Sequence, residues 1–381
     1  MGSRTKVTAF IVSLALVMAP RLWAAEPIRI GAVLAVTGPA SFLGEPEKNT
    51  AKMMEEELNK SGGLLGRPVE IIVYDDEGDA TKAVTAVDRL LKKDKVVAIV
   101  GPGLTGTTLA AAPKIEEAKI PAISLGAAKK IIQPVKSWIF KTPQSDEFAV
   151  KKIYQHAKKA GIQKVAIITA SDGFGAAGKE ELKLLAKDYG MTIVADEAFG
   201  PKDTDMTSQL TKIKGTDAQA IICWGTNPGP AVIARNRLQL GIKTPLYMSH
   251  GVASKKFIEL AGESAEGILL PAGWLNVDEQ IPASNPLKKV VSAYKKGYEA
   301  KFKQEVSPFG GYAWDAVMLF AQAIKNANSA EPAAIRDALE KIKGFNGVTG
   351  TFNFSPEDHN GLTEAAFVMV TISKGDWKTI E

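Results

Sequence analysis

Cysteine is all but missing from this chain of 381 residues: Cys223 stands alone, so no internal disulfide can form. Stability must then come from buried apolar surface, which a chain of this length can supply. Histidine is nearly as scarce, and His156, His250 and His359 lie too far apart for zinc spacing. Charge of one sign is lacking too. The formal net charge is +5, and Arg4, Lys6 and Arg21 contribute three of those charges before residue 25 with no acid beside them. The +2 that remains argues against a nucleic-acid partner. Beyond Val7 to Ala19 no apolar run approaches the length of a membrane helix. Gly-x-Ser-x-Gly is absent, and with it a nucleophile elbow. Asp75, Asp76, Glu77 and Asp79 fit no calcium-loop spacing, and Asp79 is explained as a helix cap. The chain is therefore read as non-enzymatic, with no metal and no cofactor.

What is present begins with a leader. Met1 to Ala25 places Arg4 and Lys6 before a short apolar run and small residues at Ala24 and Ala25, the pattern of a cleavable export signal. No Cys follows for lipid anchoring, so the mature chain is expected to be soluble outside the cytoplasm, in the periplasm.

The stretch from Lys95 to Ala128 organises the rest. Val96 to Val100 reads as a buried parallel strand that stops at Gly101-Pro102-Gly103, and Thr105, Thr107 and Thr108 follow at a helix start. Free amides there form a seat for an anion. A nucleotide-phosphate loop would need Lys after Gly106, where Thr107 stands. Gly101, Gly103 and Gly106 formally fit a dinucleotide fingerprint. That fingerprint also needs an acid roughly 20 residues on, and Ser124-Leu125-Gly126-Ala127-Ala128 offers none. A small carboxylate remains, against the plainer reading that the glycines only make a tight turn.

From Ile28 strand-like and helix-like segments alternate, which implies parallel sheets covered on both faces. The pattern restarts after Pro143, with the glycine-rich loops VTGPASFLG and SDGFGAAG in corresponding places, so two lobes of similar plan are expected. In the tail, Asn285 to Lys303, Tyr312 to Lys325 and a segment from Glu331-Pro332 to Lys341 read as helices. Thr349 to Phe354 and Ala366 to Ile372 read as strands of an antiparallel edge.

IRIGAVLAVTGPASFLG, SGGLLGRPVEIIVYDDEGD, the GPGLTGTT loop, IPAISLGAA, VAIITASDGFG, DTDMTSQLTKIK and GYAWDAVMLFAQAI, in that order, resemble type I periplasmic solute-binding proteins. Within that group they are most similar to the leucine/isoleucine/valine-binding branch of ABC importers. The resemblance implies an α/β fold of two doubly wound αβ lobes with a ligand cleft between them. Lobe 1 takes residues 26–143 and 273–347, and lobe 2 takes 144–272 and 348–381. It implies a monomer that closes over a small molecule and docks on an ABC permease of the inner membrane. Carried over residue by residue, the carboxylate seat falls at Gly103, Leu104 and Thr105, and a backbone clamp at Gly126, Ala127 and Ala128. The ring-bearing position of the second glycine loop falls at Phe174, and the next cleft strand end at Trp224, Gly225, Thr226 and Asn227. Phe42, Phe174, Trp224, Trp274 and Tyr312 are the candidates for an aromatic wall. The family's small disulfide is missing, Gly78 and Leu104 standing in its places.

Two departures bear on the ligand. Amino-acid binders of this family carry a hydroxyl where Ala128 stands and an acid where His250 stands in YMSHGV, the acid pairing with the ligand's ammonium. A buried ammonium without a counter-charge costs several kcal/mol. The expected ligand is therefore a small organic carboxylate without an α-amino group, an aromatic acid or branched keto acid. The alternatives are a branched-chain amino acid receptor and a ligand-binding sensor subunit.

Overall fold

The computed structural model describes residues 26–380; the export-signal reading of Met1 to Ala25 lies outside them. The first lobe runs β1 (Ile28–Leu34), α1 (Ser41–Lys60), β2 (Val69–Asp75), α2 (Ala80–Arg89), β3 (Ala98–Val100), α3 (Thr105–Ala118), β4 (Ala122–Ser124) and β5 (Ile139–Lys141). Its sheet is wholly parallel, in the order β2-β1-β3-β4-β5.

The second lobe runs α4 (Asp146–Lys159), β6 (Lys164–Ala170), α5 (Gly173–Ala186), β7 (Thr192–Phe199), α6 (Thr207–Lys214), β8 (Ala220–Trp224), α7 (Gly229–Gln239), β9 (Leu246–Met248), α8 (Lys255–Ala261) and β10 (Leu269–Gly273). The chain then returns to the first lobe as α9 (Lys288–Phe302), α10 (Pro308–Ala327), α11 (Pro332–Leu339) and a small hairpin of β11 (Phe345–Asn346) and β12 (Thr351–Phe352). It ends on the second lobe as β13 (Phe367–Ser373) and β14 (Asp376–Thr379), which add an antiparallel edge next to β10. The second sheet is ordered β14-β13-β10-β9-β8-β6-β7.

Period-two alternation decides which face each side chain covers. Ile30, Ala32 and Leu34 of β1 enter the core under α1 and α10, while Val33 enters the opposite core with α2 and α3. In the second lobe Ala166 and Ile168 of β6 face one core and Val165 and Ile167 the other. Strands buried on both faces read as unbroken apolar runs, as parallel strands between helices do.

Several elements differ from the sequence reading, for one recurring reason. VTGPASFLG and SDGFGAAG are not wholly loops: α1 already begins at Ser41 and α5 at Gly173. Their glycines permit close packing inside a helix rather than breaking it. A Cβ on Gly44 would lie 2.1 Å from the carbonyl oxygen of Ala35, and one on Gly175 would lie 1.9 Å from that of Ala170. Each lobe thus presses its first helix onto the chain leaving its first strand. GPGLTGTT enters its helix at Thr105, the helix start read from the sequence. In the tail, Thr349 to Phe354 does not join the large sheet, because Phe352 and Phe354 pack into the first lobe's core.

The boundary at 347/348 moves for the same reason. Val348, Phe352, Phe354 and Leu362 belong to the first core, and buried Asp315 on α10 accepts the N–H groups of Val348 (2.6 Å) and Thr349 (2.8 Å). The last crossing therefore follows Leu362. It is tied to the first: Asn360 Nδ2 donates to the carbonyls of Lys141 (3.2 Å) and Pro143 (3.0 Å), and Gln144 Nε2 to that of Ala366 (3.1 Å).

Alanine at Gly44 or Gly175 should destabilise the protein by about 1–3 kcal/mol or more through overpacking. Gly297, mid-helix in α9 with open space where a Cβ would go, should gain about 0.5–1 kcal/mol as alanine. Denaturant unfolding of the three variants checks both signs.

Candidate functional site

The C-terminal ends of the strands in both sheets converge on one cavity of about 390 Å³, the place where open α/β sheets bind ligands. Its first-lobe wall is built by the segments after β3 and β4. The backbone turns at Gly101 (φ +95°), where a Cβ would sit 2.4 Å from the carbonyl oxygen of Val33. The chain then enters α3, where the N–H of Thr108 makes the first helical bond, to Leu104 O at 2.9 Å. The amides of Thr105, Gly106 and Thr107 precede that bond and have no helical acceptor. Leu104 supplies no side-chain cap.

The threonines divide their work. Thr107 Oγ1 accepts from Leu104 N–H (3.3 Å) and donates to Leu104 O (3.1 Å), while Thr108 Oγ1 bonds Pro102 O (3.1 Å) and Ser124 Oγ (2.7 Å). Both brace the loop. Thr105 is 3 % exposed, lines the cavity, and its hydroxyl has no partner. Ser124 Oγ also receives the N–H of Gly126 (3.0 Å), which leaves Ala127 as the clamp residue with a disengaged amide. A Cβ on Gly126 would lie 2.9 Å from Thr105 N, so the two loops meet backbone to backbone.

The second-lobe wall comes from the start of α5, the end of β8 and the short helical turn after β9. Phe174 lines the cavity with Asp172, Gly173, Thr226, Asn227, His250 and Gly251. Both side-chain atoms of Asn227 are buried without a partner. The His250 ring lies among Phe174 (5.5 Å between centroids), Trp224 (5.8 Å) and Phe367 (5.2 Å), and neither ring nitrogen has a hydrogen-bond partner. Burial, reinforced by the nearby Lys141 ammonium, pushes its pKa down to about 3, so the imidazole is neutral at neutral pH. Asp146 at the start of α4 lies behind it, Oδ1 3.8 Å from Nε2, with both oxygens lacking a donor and the carboxyl pushed up to about 7 by burial.

Of the residues singled out from sequence, Gly103, Leu104, Thr105, Gly126, Ala127, Phe174, Asn227, His250 and Tyr312 line this cavity. Phe42, Ala128 and Trp224 do not. Phe42 packs edge-on against Phe309 (5.6 Å, 81°), and Phe309 is the ring that reaches the cavity. Ala128 is fully buried in the first lobe's outer core, and Trp224 is fully buried beneath Phe174. Trp274, offered as part of an aromatic wall, donates its indole N–H to Ala365 O instead (3.1 Å).

Sequence reasoning missed Leu43, Phe199, Lys202 and Phe309 in the lining, while Thr226, at the expected cleft strand end, is part of it. Phe309 had a signal, standing one helical turn before Tyr312. It also missed Glu47, whose unpartnered, buried carboxyl sits 3.0 Å from where a Gly103 Cβ would be and is raised well above the usual range by burial and by Asp76. Of the acids that line the cavity itself, Glu77 pairs with Lys82 (2.6 Å) and Asp172 caps α5 by accepting the N–H of Gly175 (2.8 Å). The described residues contain no group of three or more His, Cys, Asp or Glu able to hold a metal, and no helix long and apolar enough to cross a membrane.

A family model described as periplasmic binding protein matches residues 27–376. The leucine-, isoleucine-, valine-, threonine-, and alanine-binding protein of Pseudomonas aeruginosa is 27% identical over 338 residues, 87% of this chain and 86% of that protein. The Leu/Ile/Val-binding protein of Escherichia coli K12 is 25% identical over 325 residues, 83% of each chain. Among solved structures, an extracellular ligand-binding receptor from Rhodopseudomonas palustris HaA2 superposes with a TM-score of 0.87 at 28% identity, covering 93% of this chain and 99% of that one. A branched-chain amino acid transporter substrate binding protein from Streptococcus pneumoniae, solved in complex with isoleucine, gives 0.82 at 28% identity, covering 93% and 98%. The match runs through both sheets and both walls of the cavity, and the chain belongs to the periplasmic binding protein family, as a solute-binding receptor and not an enzyme.

Proposed function

We propose that this protein is the periplasmic receptor of an ABC importer, that it works as a monomer handing its solute to a membrane permease, and that the solute is a small organic carboxylate, an aromatic acid or branched keto acid. One observation carries the ligand reading. The unpartnered hydroxyl of Thr105 stands among the free amides that open α3, and a neutral imidazole lies across the cavity. Charge-assisted hydrogen bonds to a carboxylate contribute about 1.5–3 kcal/mol each, and the helix dipole adds to them. A second N-terminus converges on the same space: a Cβ on Gly173 at the start of α5 would lie 3.0 Å from Gly106 Cα. Like ends of two dipoles brought this close favour an anion between them.

His250 does not offer an ammonium the ionic partner it needs. Neutral and framed by aromatic rings, it can donate one hydrogen bond to a keto or hydroxyl oxygen and accept one. Phe174, Phe199, Phe309 and Leu43 give the cavity the apolar lining that a ring or branched chain requires. The second reading, a branched-chain amino acid, is favoured by the names of the relatives above and by Asp172, a lining carboxylate that an ammonium can approach.

Calorimetry separates the two. Benzoate or ketoisocaproate should bind at micromolar affinity while leucine and valine do not; the reverse result establishes the amino acid reading. Thr105→Ala should weaken every carboxylate by about 1–3 kcal/mol, and unaltered binding removes that hydroxyl from the seat. His250→Glu should shift preference toward leucine. The His250 imidazole should also show no NMR titration between about pH 5 and 8. Because its folded pKa lies below the usual histidine value, its contribution to stability is intact above about 6.5 and is lost progressively as the pH falls toward 3.

A further inference from the structure

Where the first crossing leaves β5, a lysine is sealed behind the cavity wall. Lys141 is fully buried, and its Nζ donates to Ala127 O at 3.0 Å and to Pro143 O at 2.8 Å. Its own carbonyl receives Asn360 Nδ2 from the last crossing, and its N–H donates to His359 O (3.0 Å). The ammonium therefore cannot swing away, and one of its two anchors is the clamp residue that lines the cavity. Two carbonyls solvate the ammonium, but burial pulls its pKa down to about 7, so it carries its charge below neutral pH and sheds it above. The charged and titratable groups that face it are Asp146 from α4, Asp358 from the segment before the last crossing, and His250 from the turn after β9. Asp146 in turn feels Glu181 and Lys130. The nearest compensating carboxyl is Asp146. It has no hydrogen-bond donor, and burial holds it partly protonated at neutral pH.

We infer that Lys141 is a specificity-determining residue: a buried ammonium, one hydrogen bond behind Ala127, that lets the cavity favour a carboxylate over an uncharged molecule of the same shape. This rests on the carboxylate reading above. A buried charge acts through low-dielectric protein without touching the ligand, and salt screens it far less than a surface lysine. It also holds Ala127 in place, so Lys141 positions the clamp as well as charging it.

The test compares acids with their amides on the purified protein at about pH 6, where Lys141 is protonated: benzoate against benzamide, and ketoisocaproate against its amide. The wild type should prefer each acid. Lys141→Gln should cut the acid-to-amide affinity ratio by about tenfold or more, and Lys141→Arg should restore most of it, with thermal unfolding confirming that the variants fold. On the wild type, raising the pH from about 6 to 8 takes protons from Lys141 and Asp146 and should lower the ratio, which keeps the inference testable if Lys141→Gln does not fold. A folded Lys141→Gln variant with the wild-type ratio, or a wild-type ratio unchanged between about pH 6 and 8, overturns the role of Lys141 alone. A wild type that binds neither acid overturns the carboxylate reading itself.

Discussion

Close approach of two backbone segments, the turn after β3 and the turn after β4, is the constraint on which the cavity depends. Three helix-start amides stay available only because the loop that carries them is braced from behind. Thr108, Ser124 and Pro102 form that brace through buried hydrogen bonds. Gly101 and Gly126 are needed because a side chain at either place would displace the neighbouring strand exit or the start of α3. Unsatisfied buried groups are costly, so amides and a hydroxyl held free in a rigid frame are poised for a guest that supplies the missing acceptors.

Electrostatics around that frame is arranged in depth. The acids at the surface of the cavity are already engaged, Glu77 by Lys82 and Asp172 by the start of α5. Those behind it, Glu47 and Asp146, are shifted toward their neutral forms by burial. His250 is shifted the opposite way and is also neutral. Lys141 is also shifted toward its neutral form by burial, while two carbonyl acceptors hold its amine in place. The field in the cavity therefore favours anions without a cation exposed at its floor.

The alternation of elements, the two-lobe plan and the loops at the strand ends were legible in the sequence because period and punctuation are local properties. Glycine was misread in a consistent way. At Gly44 and Gly175 it looks like a helix breaker, yet it is there so that a helix can touch a strand exit, a reason that exists only in three dimensions. Aromatic positions were legible to within one helical turn: Tyr312 lines the cavity, but Phe309 does so in place of Phe42. Trp224 ends its strand as expected and then points into the core. Lys141, Asp146 and Glu47 gave no sequence signal, since a buried charge is written with the same letter as a solvated one. Their partners come from segments as distant as Asn360.

The contact between Gly106 and Gly173 has a consequence for how the halves of the molecule come together. Neither residue presents a side chain, so the two helix tips can touch, and the width of the entrance is limited by bare main chain. A side chain at Gly173 would act as a doorstop, its Cβ 3.0 Å from Gly106 Cα, whereas a Cβ at Gly106 meets nothing within 4 Å. Both glycines also line the cavity, so the main chain that lets the halves meet is the same main chain that faces the solute.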